Sequence, residues 1–231
     1  MSGLGQLYGV GIGPGDPELI TVKGLKLLQS ADVIFYPASK VEGDRVVSFS
    51  KKIIDQLAIT APCVPLHTPM TGLDREAFYQ AAFEQVYAAL QRHRQVVIVS
   101  EGDILFYSTF GYLLTLAKAQ GVECHLIPGI PAFIASAAQG DRPLVEGNGE
   151  FKVIARPDNY EQIRQALDQG YALVVMKMSV LKDWYHFLKA ANHAFLYIEK
   201  VGTEAQFVSS EVEVLKERTI PYFSLIIFYG R

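Results

Sequence analysis

Cysteine, tryptophan and long apolar runs are all scarce in this chain. Its 231 residues include two cysteines and one tryptophan. Because Cys63 and Cys124 lie far apart and show no metal-ligand spacing, we expect reduced core thiols rather than a disulfide scaffold or a metal site. The longest apolar runs, residues 171–176 and 223–229, have the length of a strand and are too short to span a membrane.

A strong charge of either sign is also missing. The chain has 21 Lys and Arg against 24 Asp and Glu, a net charge of −3. This balance gives no electrostatic reason to expect a nucleic-acid partner. Half of the residues are apolar, which is typical of a folded globular protein. The first residues show no signal-peptide pattern, so we expect a cytoplasmic protein without a membrane partner.

The most informative segment is the glycine-rich start, LYGVGIGPGDP at residues 7–17. It predicts a buried strand, a tight turn, and a helix with Asp16 as its N-cap and Pro17 in its first turn. Such a turn lets a small molecule approach the main chain closely. It is not the dinucleotide fingerprint, because Asp16 stands where that motif has its third glycine. A nicotinamide dehydrogenase is therefore disfavoured.

Alternating strands and helices predict an α/β protein of two domains, residues 1–113 and 114–231. An Asn148-Gly149 turn of the hairpin type predicts that the second domain is partly antiparallel. The predicted strands after the first cover residues 33–36, 63–66, 95–100, 123–127, 151–155, 172–177, 194–198, 206–209 and 223–228. The predicted helices cover residues 18–31, 46–57, 75–92, 110–120, 131–138, 160–169 and 181–189, with an open loop at 67–74.

Three further loops follow predicted strands and carry polar, glycine or proline residues. They are VSEGDILFYSTF at 99–110, IPGIPAF at 127–133 and VMKMS at 175–179. Open α/β sheets bind their ligands at the carboxyl ends of their strands, so we expect these loops and the glycine-rich start to form one site.

Together these segments resemble the tetrapyrrole (corrin/porphyrin) methylases, which use S-adenosylmethionine. The matching motifs are the glycine-rich start at 11–23, Gly102-Asp103, and the proline-glycine turn at 128–132. The resemblance covers essentially the whole chain and is greatest to the branch that methylates C-20 of precorrin-2 or cobalt-factor II. Two positions depart from the family pattern: Ile104 replaces a proline, and Pro131 replaces a hydroxyl residue. A side-chain hydroxyl bond at position 131 is therefore not expected.

The resemblance implies a two-domain tetrapyrrole methylase fold with mixed sheets and with the cofactor in the cleft between the domains. It also implies a tetrapyrrole substrate and a homodimer. The residues expected to bind S-adenosylmethionine are Pro14, Gly102, Asp103, Phe106, Pro131, Ala132, Met178, Val201 and Tyr222.

Methyl transfer from a sulfonium requires neither a metal ion nor a covalent nucleophile, and the sequence shows no metal cluster or catalytic triad. Proton loss from the methylated carbon is assigned to Glu101 or a bound water, with the phenols of Tyr107 and Tyr36 as neighbours on loops. Glu101 has an alternative role as a structural cap. The cations expected in loops near the substrate carboxylates are Lys40, Arg45, Arg75 and Arg142.

Several alternatives stay open. Within the superfamily they are a methylase acting at another carbon of the macrocycle and a diphthine synthase-like enzyme. A ribosomal-RNA ribose methylase fits the acidic balance poorly. A tetrapyrrole carrier without catalysis is the alternative from a different class.

Overall fold

The computed structural model describes residues 3–41, 45–67 and 75–230. The chain divides into two units, residues 1–131 (unit 1) and 132–231 (unit 2). Each unit is built on its own sheet.

Unit 1 begins with a strand, a single-turn 3-10 helix and an α-helix. Asp16 caps the 3-10 helix by accepting a hydrogen bond from the Glu18 amide, and Pro17 opens it, as the sequence predicts. Thr21 then caps the α-helix separately, so the single helix expected at 18–31 is two short ones. The elements of unit 1 are β1 (Gln6–Gly11), the 3-10 helix (Pro17–Leu19), α1 (Val22–Gln29), β2 (Val33–Val41), β3 (Arg45–Val47), α2 (Phe49–Ile54), β4 (Cys63–His67), α3 (Arg75–Leu90), β5 (Gln95–Ser100), α4 (Phe110–Ala119) and β6 (Cys124–Ile127).

Five parallel strands form the centre of the unit 1 sheet, in the order β4-β2-β5-β1-β6. The short β3 pairs antiparallel with the end of β2. Strand β5 is apolar on both faces, as expected for a parallel strand covered on both sides. Val96 and Ile98 pack in the cluster that contains α3 and α4 residues. Val97 and Val99 pack in the cluster on the other face, which contains residues of α1 and α2.

Unit 2 contains a 3-10 helix after its second strand and another before its last. Its elements are α5 (Ala132–Ala138), β7 (Phe151–Ile154), α6 (Tyr160–Asp168), β8 (Ala172–Met176), the 3-10 helix Met178–Val180, α7 (Trp184–Ala191), β9 (Phe195–Glu199), β10 (Phe207–Ser209), the 3-10 helix Val212–Leu215 and β11 (Ser224–Phe228).

The strand order in unit 2 is β10-β9-β11-β8-β7. Strands β7 and β8 are parallel, whereas β11 lies between β8 and β9 and runs antiparallel to both. The sheet is therefore mixed, as predicted, although its antiparallel pairs do not come from the turn at residues 148–149. Residues 148–149 precede β7 and join no hairpin, because the partner of β7 is the parallel strand β8.

The boundary between the units lies later than the predicted break after residue 113. Strand β6 pairs with β1 in the first sheet, so α4 and β6 both belong to unit 1. The pairing joins residues more than 100 positions apart, and nothing in the local sequence around residues 114–127 indicates it. The loop expected at 67–74 lies outside the described residues from position 68 onward.

A buried ion pair fixes the end of β9 in unit 2. Glu199 accepts hydrogen bonds from Arg218 at Nε (2.5 Å) and Nη2 (3.0 Å), and from the Tyr197 hydroxyl (2.5 Å). The Arg218 guanidinium also lies 3.6 Å from the centroid of the Phe207 ring. Burial disfavours the charge of Glu199, yet the bonds from Arg218 and Tyr197 outweigh burial and hold the pKa of its carboxyl below the usual value.

Glu199→Gln should lower the free energy of unfolding of unit 2 by about 2–3 kcal/mol at about pH 7, because Arg218 loses its charged partner. The lowered pKa means that the contribution of Glu199 is complete above about pH 4.3 and is lost as the pH falls through the folded-state value. The difference between wild type and variant should therefore shrink below about pH 4.3. Trp184, the single tryptophan of the chain, lies in the core of unit 2 and reports its unfolding in denaturant.

The matched control is Glu146→Gln, at an exposed position of the same unit. It should change stability by less than about 0.5 kcal/mol at every pH. A difference between wild type and Glu199→Gln that stays constant from about pH 3 to about pH 7 contradicts the assignment of the lowered pKa.

Candidate functional site

Three loops of unit 1 leave neighbouring parallel strands at the same end of the sheet. Strand β1 lies between β5 and β6, and all three run in the same direction. Their carboxyl ends are therefore adjacent, and residues 12–16, 101–109 and 128–131 follow them directly. The structure thus brings together the glycine-rich start and two of the three further loops that the sequence singles out.

The first two loops are joined main chain to main chain. Gly13 donates to the carbonyl of Gly102 (3.2 Å), and Gly102 donates back to the carbonyl of Gly13 (2.7 Å). Both residues have a positive φ, +80° at Gly13 and +67° at Gly102, a conformation that glycine adopts readily. This reciprocal pair fixes the spacing of the two loops.

The third loop packs against the first two with no room for a side chain. A Cβ at Gly129 would lie 2.2 Å from the Gly102 carbonyl oxygen and 2.7 Å from the Gly11 carbonyl carbon. A Cβ at Gly11 would lie 2.7 Å from the Gly129 nitrogen. We call Gly11, Gly102 and Gly129 the glycine contact. Gly11 and Gly129 cannot be replaced without overlap, because a side chain at either position would meet main-chain atoms.

Asp103 ties the glycine contact together with its carboxylate. Oδ2 accepts a hydrogen bond from the Gly129 amide and Oδ1 accepts one from the Leu105 amide, each at 2.9 Å. The sequence predicts a direct polar contact between Asp103 and the cofactor. In the structure both carboxylate oxygens hold main-chain amides, so Asp103 positions the loops. The bond to Leu105 is a local turn that an Asp in a G-D loop commonly makes, whereas the bond to Gly129 spans 26 positions.

Glu101 lies against the start of α2. Its Oε1 accepts a hydrogen bond from the Ser50 amide at 3.1 Å, and the Ser48 hydroxyl accepts one from the Lys51 amide at 3.1 Å. The two side chains satisfy amides that the helix itself leaves unpaired. Glu101 therefore has the capping role that the sequence analysis gives as an alternative, on α2 rather than on its own loop.

The two phenols differ in their surroundings. Tyr36 is buried within strand β2, not in a loop as expected, and burial is the main cause that raises the pKa of its hydroxyl, against the effect of Lys51. A raised pKa keeps the phenol protonated at neutral pH, and a protonated phenol is a poor proton acceptor. Tyr107 is 58% exposed and adopts a left-handed φ of +53°.

Apolar side chains are exposed beside the glycine contact. Leu105 is 56% exposed, and the half-buried Phe106 ring packs edge-on against Tyr107 with centroids 4.7 Å apart. Pro14, by contrast, is buried. Pro131 is half-buried at the end of the third loop.

In unit 2 three predicted cofactor residues lie at one end of the sheet. Met178 follows β8, Val201 follows β9, and Tyr222 precedes the antiparallel β11. Met178 differs from the expectation that it offers apolar surface to a ligand. Its side chain is fully buried in the unit 2 core, and its carbonyl accepts the Trp184 indole hydrogen bond at 2.8 Å. Val201 is also buried, whereas Tyr222 is exposed. Ala132 is half-buried and begins α5.

Of the four predicted substrate cations, Arg142 belongs to unit 2 and the other three to unit 1. Arg142 is exposed with its guanidinium 4.5 Å from the Tyr229 ring. Because Tyr229 follows the end of β11, Arg142 lies at the opposite end of the unit 2 sheet from Tyr222, in a loop as expected. The other three stand in regular elements rather than loops, and their side chains lie outside the described residues: Lys40 in β2, Arg45 in β3 and Arg75 in α3.

Two features are absent from the described ranges. No helix there combines the length and apolar character needed to cross a membrane. The same residues contain no group of three or more His, Cys, Asp or Glu side chains placed to hold a metal ion.

Comparison with known sequences identifies the family. The profile of the tetrapyrrole (corrin/porphyrin) methylases matches residues 6–214. The chain belongs to this family. As a methylase it is a C-methyltransferase that depends on S-adenosylmethionine, in agreement with the resemblance described above.

Two curated relatives match this methylase along most of its length. The precorrin-2 C(20)-methyltransferase of a Sinorhizobium species is 31% identical over 242 residues, covering 99% of this chain and 96% of the relative. A protein of Methanocaldococcus jannaschii named probable cobalt-precorrin-2 C(20)-methyltransferase is 30% identical over 200 residues, covering 86% of this chain and 83% of the relative.

Solved structures confirm the two-domain fold of the methylase. A cobalt precorrin-4 methyltransferase superposes with a TM-score of 0.72 at 24% identity, covering 97% of this chain and 94% of the other. A uroporphyrin-III C-methyltransferase from Thermus thermophilus, in complex with S-adenosylhomocysteine, gives a TM-score of 0.67 at 20% identity and covers 97% of both chains.

Gly129→Ala should destabilise the methylase by about 1–3 kcal/mol or prevent its folding, since the added methyl group overlaps the Gly102 carbonyl. Calorimetry measures the stability change, and a titration with S-adenosylmethionine measures binding, which should weaken as the loops separate.

Gly111→Ala is the matched control. Gly111 lies in α4, and a Cβ there would meet nothing within 4 Å. Alanine in a helix is favoured over glycine, so this variant should gain up to about 0.5–1 kcal/mol. Equal stability of the two variants would show that the glycine contact is not close-packed.

Proposed function

We propose that this methylase transfers a methyl group to C-20 of precorrin-2 or cobalt-factor II in cobalamin biosynthesis. One observation carries the proposal. The Sinorhizobium relative named precorrin-2 C(20)-methyltransferase matches 99% of this chain over 96% of its own length. The relative from Methanocaldococcus jannaschii bears the name of the same reaction on the cobalt-containing substrate.

S-adenosylmethionine is the proposed methyl donor, and the site residues fit it. The glycine contact forms a rigid main-chain frame, and exposed apolar groups such as Leu105 lie beside it. A polar frame next to apolar surface suits a ligand with a polar amino-acid end and an apolar sulfonium centre. The residues we propose to hold the donor directly or through their loops are Pro14, Gly102, Asp103, Phe106, Pro131, Ala132, Met178, Val201 and Tyr222.

The main catalytic contribution of the protein is alignment. When bound, the donor supplies a methyl group that passes from sulfur to the substrate carbon as the neutral thioether leaves. Holding the two reactants in line is worth up to about 7–11 kcal/mol in well-oriented systems. Asp103 serves this alignment by fixing the Gly129 and Leu105 amides, so its loop does not reorganise during the reaction.

We propose Glu101 as the acceptor of the proton that the methylated carbon loses. Its bond to the Ser50 amide fixes one carboxylate oxygen in place. We propose no role as the base for Tyr36, because its buried phenol stays protonated at neutral pH, and we propose the exposed Tyr107 as a contact to the substrate. A homodimer and a cytoplasmic location also stay predictions.

The substrate proposal is tested by incubating the purified protein with methyl-labelled S-adenosylmethionine and either precorrin-2 or cobalt-factor II. We expect one labelled methyl group per macrocycle, located at C-20 by carbon NMR. The substrate that is methylated faster shows whether the protein acts in the metal-free or in the cobalt-containing route of cobalamin biosynthesis.

The same assay separates the alternatives. Label at another carbon indicates a methylase of different position specificity. Label on a diphthamide precursor peptide indicates a diphthine synthase-like enzyme. Binding of the macrocycle with no transfer indicates a carrier.

Glu101→Gln tests the proposed proton acceptor. Glutamine keeps an oxygen that accepts the Ser50 amide hydrogen bond but does not take a proton at neutral pH. We expect kcat to fall by about 10²-fold or more with the melting temperature unchanged. Glu101→Ala, the comparison variant, should lower both kcat and stability. If Glu101→Gln retains full kcat, the residue only caps α2 and the acceptor is a bound water.

A further inference from the structure

Two serine hydroxyls join the ends of the loop between β5 and α4. Ser100 is the last residue of β5, and Ser108 stands two residues before α4. The Ser108 hydroxyl donates a hydrogen bond to the Ser100 hydroxyl at 2.9 Å, and the Ser100 hydroxyl donates to the Glu101 carbonyl at 3.4 Å. We call Ser100 and Ser108 the serine pair. It closes the loop of residues 101–107 at its base.

The serine pair is anchored to buried residues on both sides. The Ser108 hydroxyl accepts a hydrogen bond from the Phe110 amide at 3.1 Å, one of the amides that a helix leaves unpaired at its start. Within the described part of the chain, the Thr109 side chain caps no amide of α4. Phe110 is 1% exposed, and its ring lies so close to β1 that a Cβ at Gly9 would come within 2.6 Å of it. Ser100 itself is buried.

Tyr107 directly precedes Ser108 and has a strained backbone. Its φ of +53° lies in the left-handed region, where the Cβ of an L-residue crowds the main chain. Among residues with a side chain, Asn and Asp adopt this conformation most readily, and tyrosine does not. Such a residue stays there only where the surrounding structure holds it. The adjacent serine pair is the anchor that can do so.

The side chain of Tyr107 gains little from this strain within the protein. It is 58% exposed, and its ring packs edge-on against the Phe106 ring. Its hydroxyl makes no hydrogen bond to a residue of the described ranges. A strained residue that presents an unbound phenol to solvent indicates a use for that side chain in binding.

We infer that the serine pair is a positioning device that keeps Tyr107 in the left-handed conformation and so presents its ring to the macrocyclic substrate. This inference rests on the proposed function, in which Tyr107 contacts the substrate. The frame proposed for the donor is held separately, because Asp103 binds the Gly129 and Leu105 amides without either serine. Loss of the serine pair should therefore weaken binding of the macrocycle and spare binding of S-adenosylmethionine.

The first test needs no ligand. Tyr107→Gly is made in the wild type and in Ser108→Ala, and the melting temperature is measured. Glycine adopts a positive φ freely, so in the wild type the change should raise the melting temperature by about 2–4 °C. Ser108→Ala leaves Tyr107 free to relax, so in that background the gain should fall below about 1 °C.

The second test measures binding. The porphyrin uroporphyrin is titrated by fluorescence and S-adenosylmethionine by calorimetry. Ser108→Ala should raise the Kd for uroporphyrin about tenfold, because Tyr107 is no longer held in place, and should change the Kd for S-adenosylmethionine by less than about twofold. In a Tyr107→Ala background, Ser108→Ala should add less than about twofold to either value. Ser108→Thr keeps the hydroxyl and should bind uroporphyrin as the wild type does.

Ser209→Ala is the matched control. The Ser209 hydroxyl accepts a hydrogen bond from the Glu211 amide at 3.0 Å, with the same spacing of two residues as between Ser108 and Phe110. Ser209 ends β10 in unit 2. Its replacement should leave both Kd values unchanged, and Tyr107→Gly should raise the melting temperature of this variant as much as that of the wild type.

Three results overturn the inference. One is an equal gain in melting temperature from Tyr107→Gly with and without Ser108. The second is a Ser108→Ala effect on uroporphyrin that persists in full when Tyr107 is absent. The third is a Ser108→Ala variant that loses affinity for both ligands alike, since a loop that merely unfolds would have that effect.

Failure of the proposed function gives different results. Label at a carbon other than C-20 refutes the proposed position and leaves both comparisons valid. A wild type that binds no uroporphyrin counts against a tetrapyrrole substrate, whereas the melting temperatures still decide whether the serine pair holds Tyr107.

Discussion

Everything at the carboxyl end of the unit 1 sheet depends on main chain packed against main chain. Where Gly11, Gly102 and Gly129 meet, a methyl group at Gly129 would come within 2.2 Å of a carbonyl oxygen. The first and third loops can approach so closely only because neither Gly11 nor Gly129 carries a side chain. Asp103 then supplies the polar link, since one carboxylate holds amides of two loops. The spacing of the loops is thus determined by close main-chain packing, and the Asp103 hydrogen bonds hold the loops at that spacing.

In unit 2 an ion pair, and not a contact between glycines, holds the end of a strand in place. Its β9 ends in a buried carboxylate held by Arg218 and Tyr197, and the next residue, Lys200, turns the chain with a left-handed φ. The charge of Lys200 also acts on Glu199 and adds to the bonds from Arg218 and Tyr197 in lowering the pKa of its carboxyl. Two cations, Arg218 and Lys200, therefore favour the ionised form of the carboxylate at the end of β9.

Local patterns predicted most of the elements. The apolar run of β5 gave its bounds without error, and the Asp16-Pro17 cap was found from residue types alone. Pairing over long distances was not predictable, so the place of β6 in the first sheet and the boundary after Pro131 were missed. The loops of the candidate site were singled out by their glycines and by family motifs. Their partners, such as the Ser50 amide for Glu101, were not, because 51 positions separate the two. The positive φ angles of Lys177 and Lys200 were not predicted, because glycine is the residue expected to adopt them.

The place of β11 also constrains how the protein is made. This strand, residues 224–228, lies in the middle of the second sheet, with β9 on one side and β8 on the other. Until the ribosome has released it, the inner edges of β8 and β9 have no partner, whereas all strands of the first sheet have been synthesised by residue 127. Edges left open in this way attract other strands. The second sheet should therefore be the part of the nascent chain that chaperones have to shield.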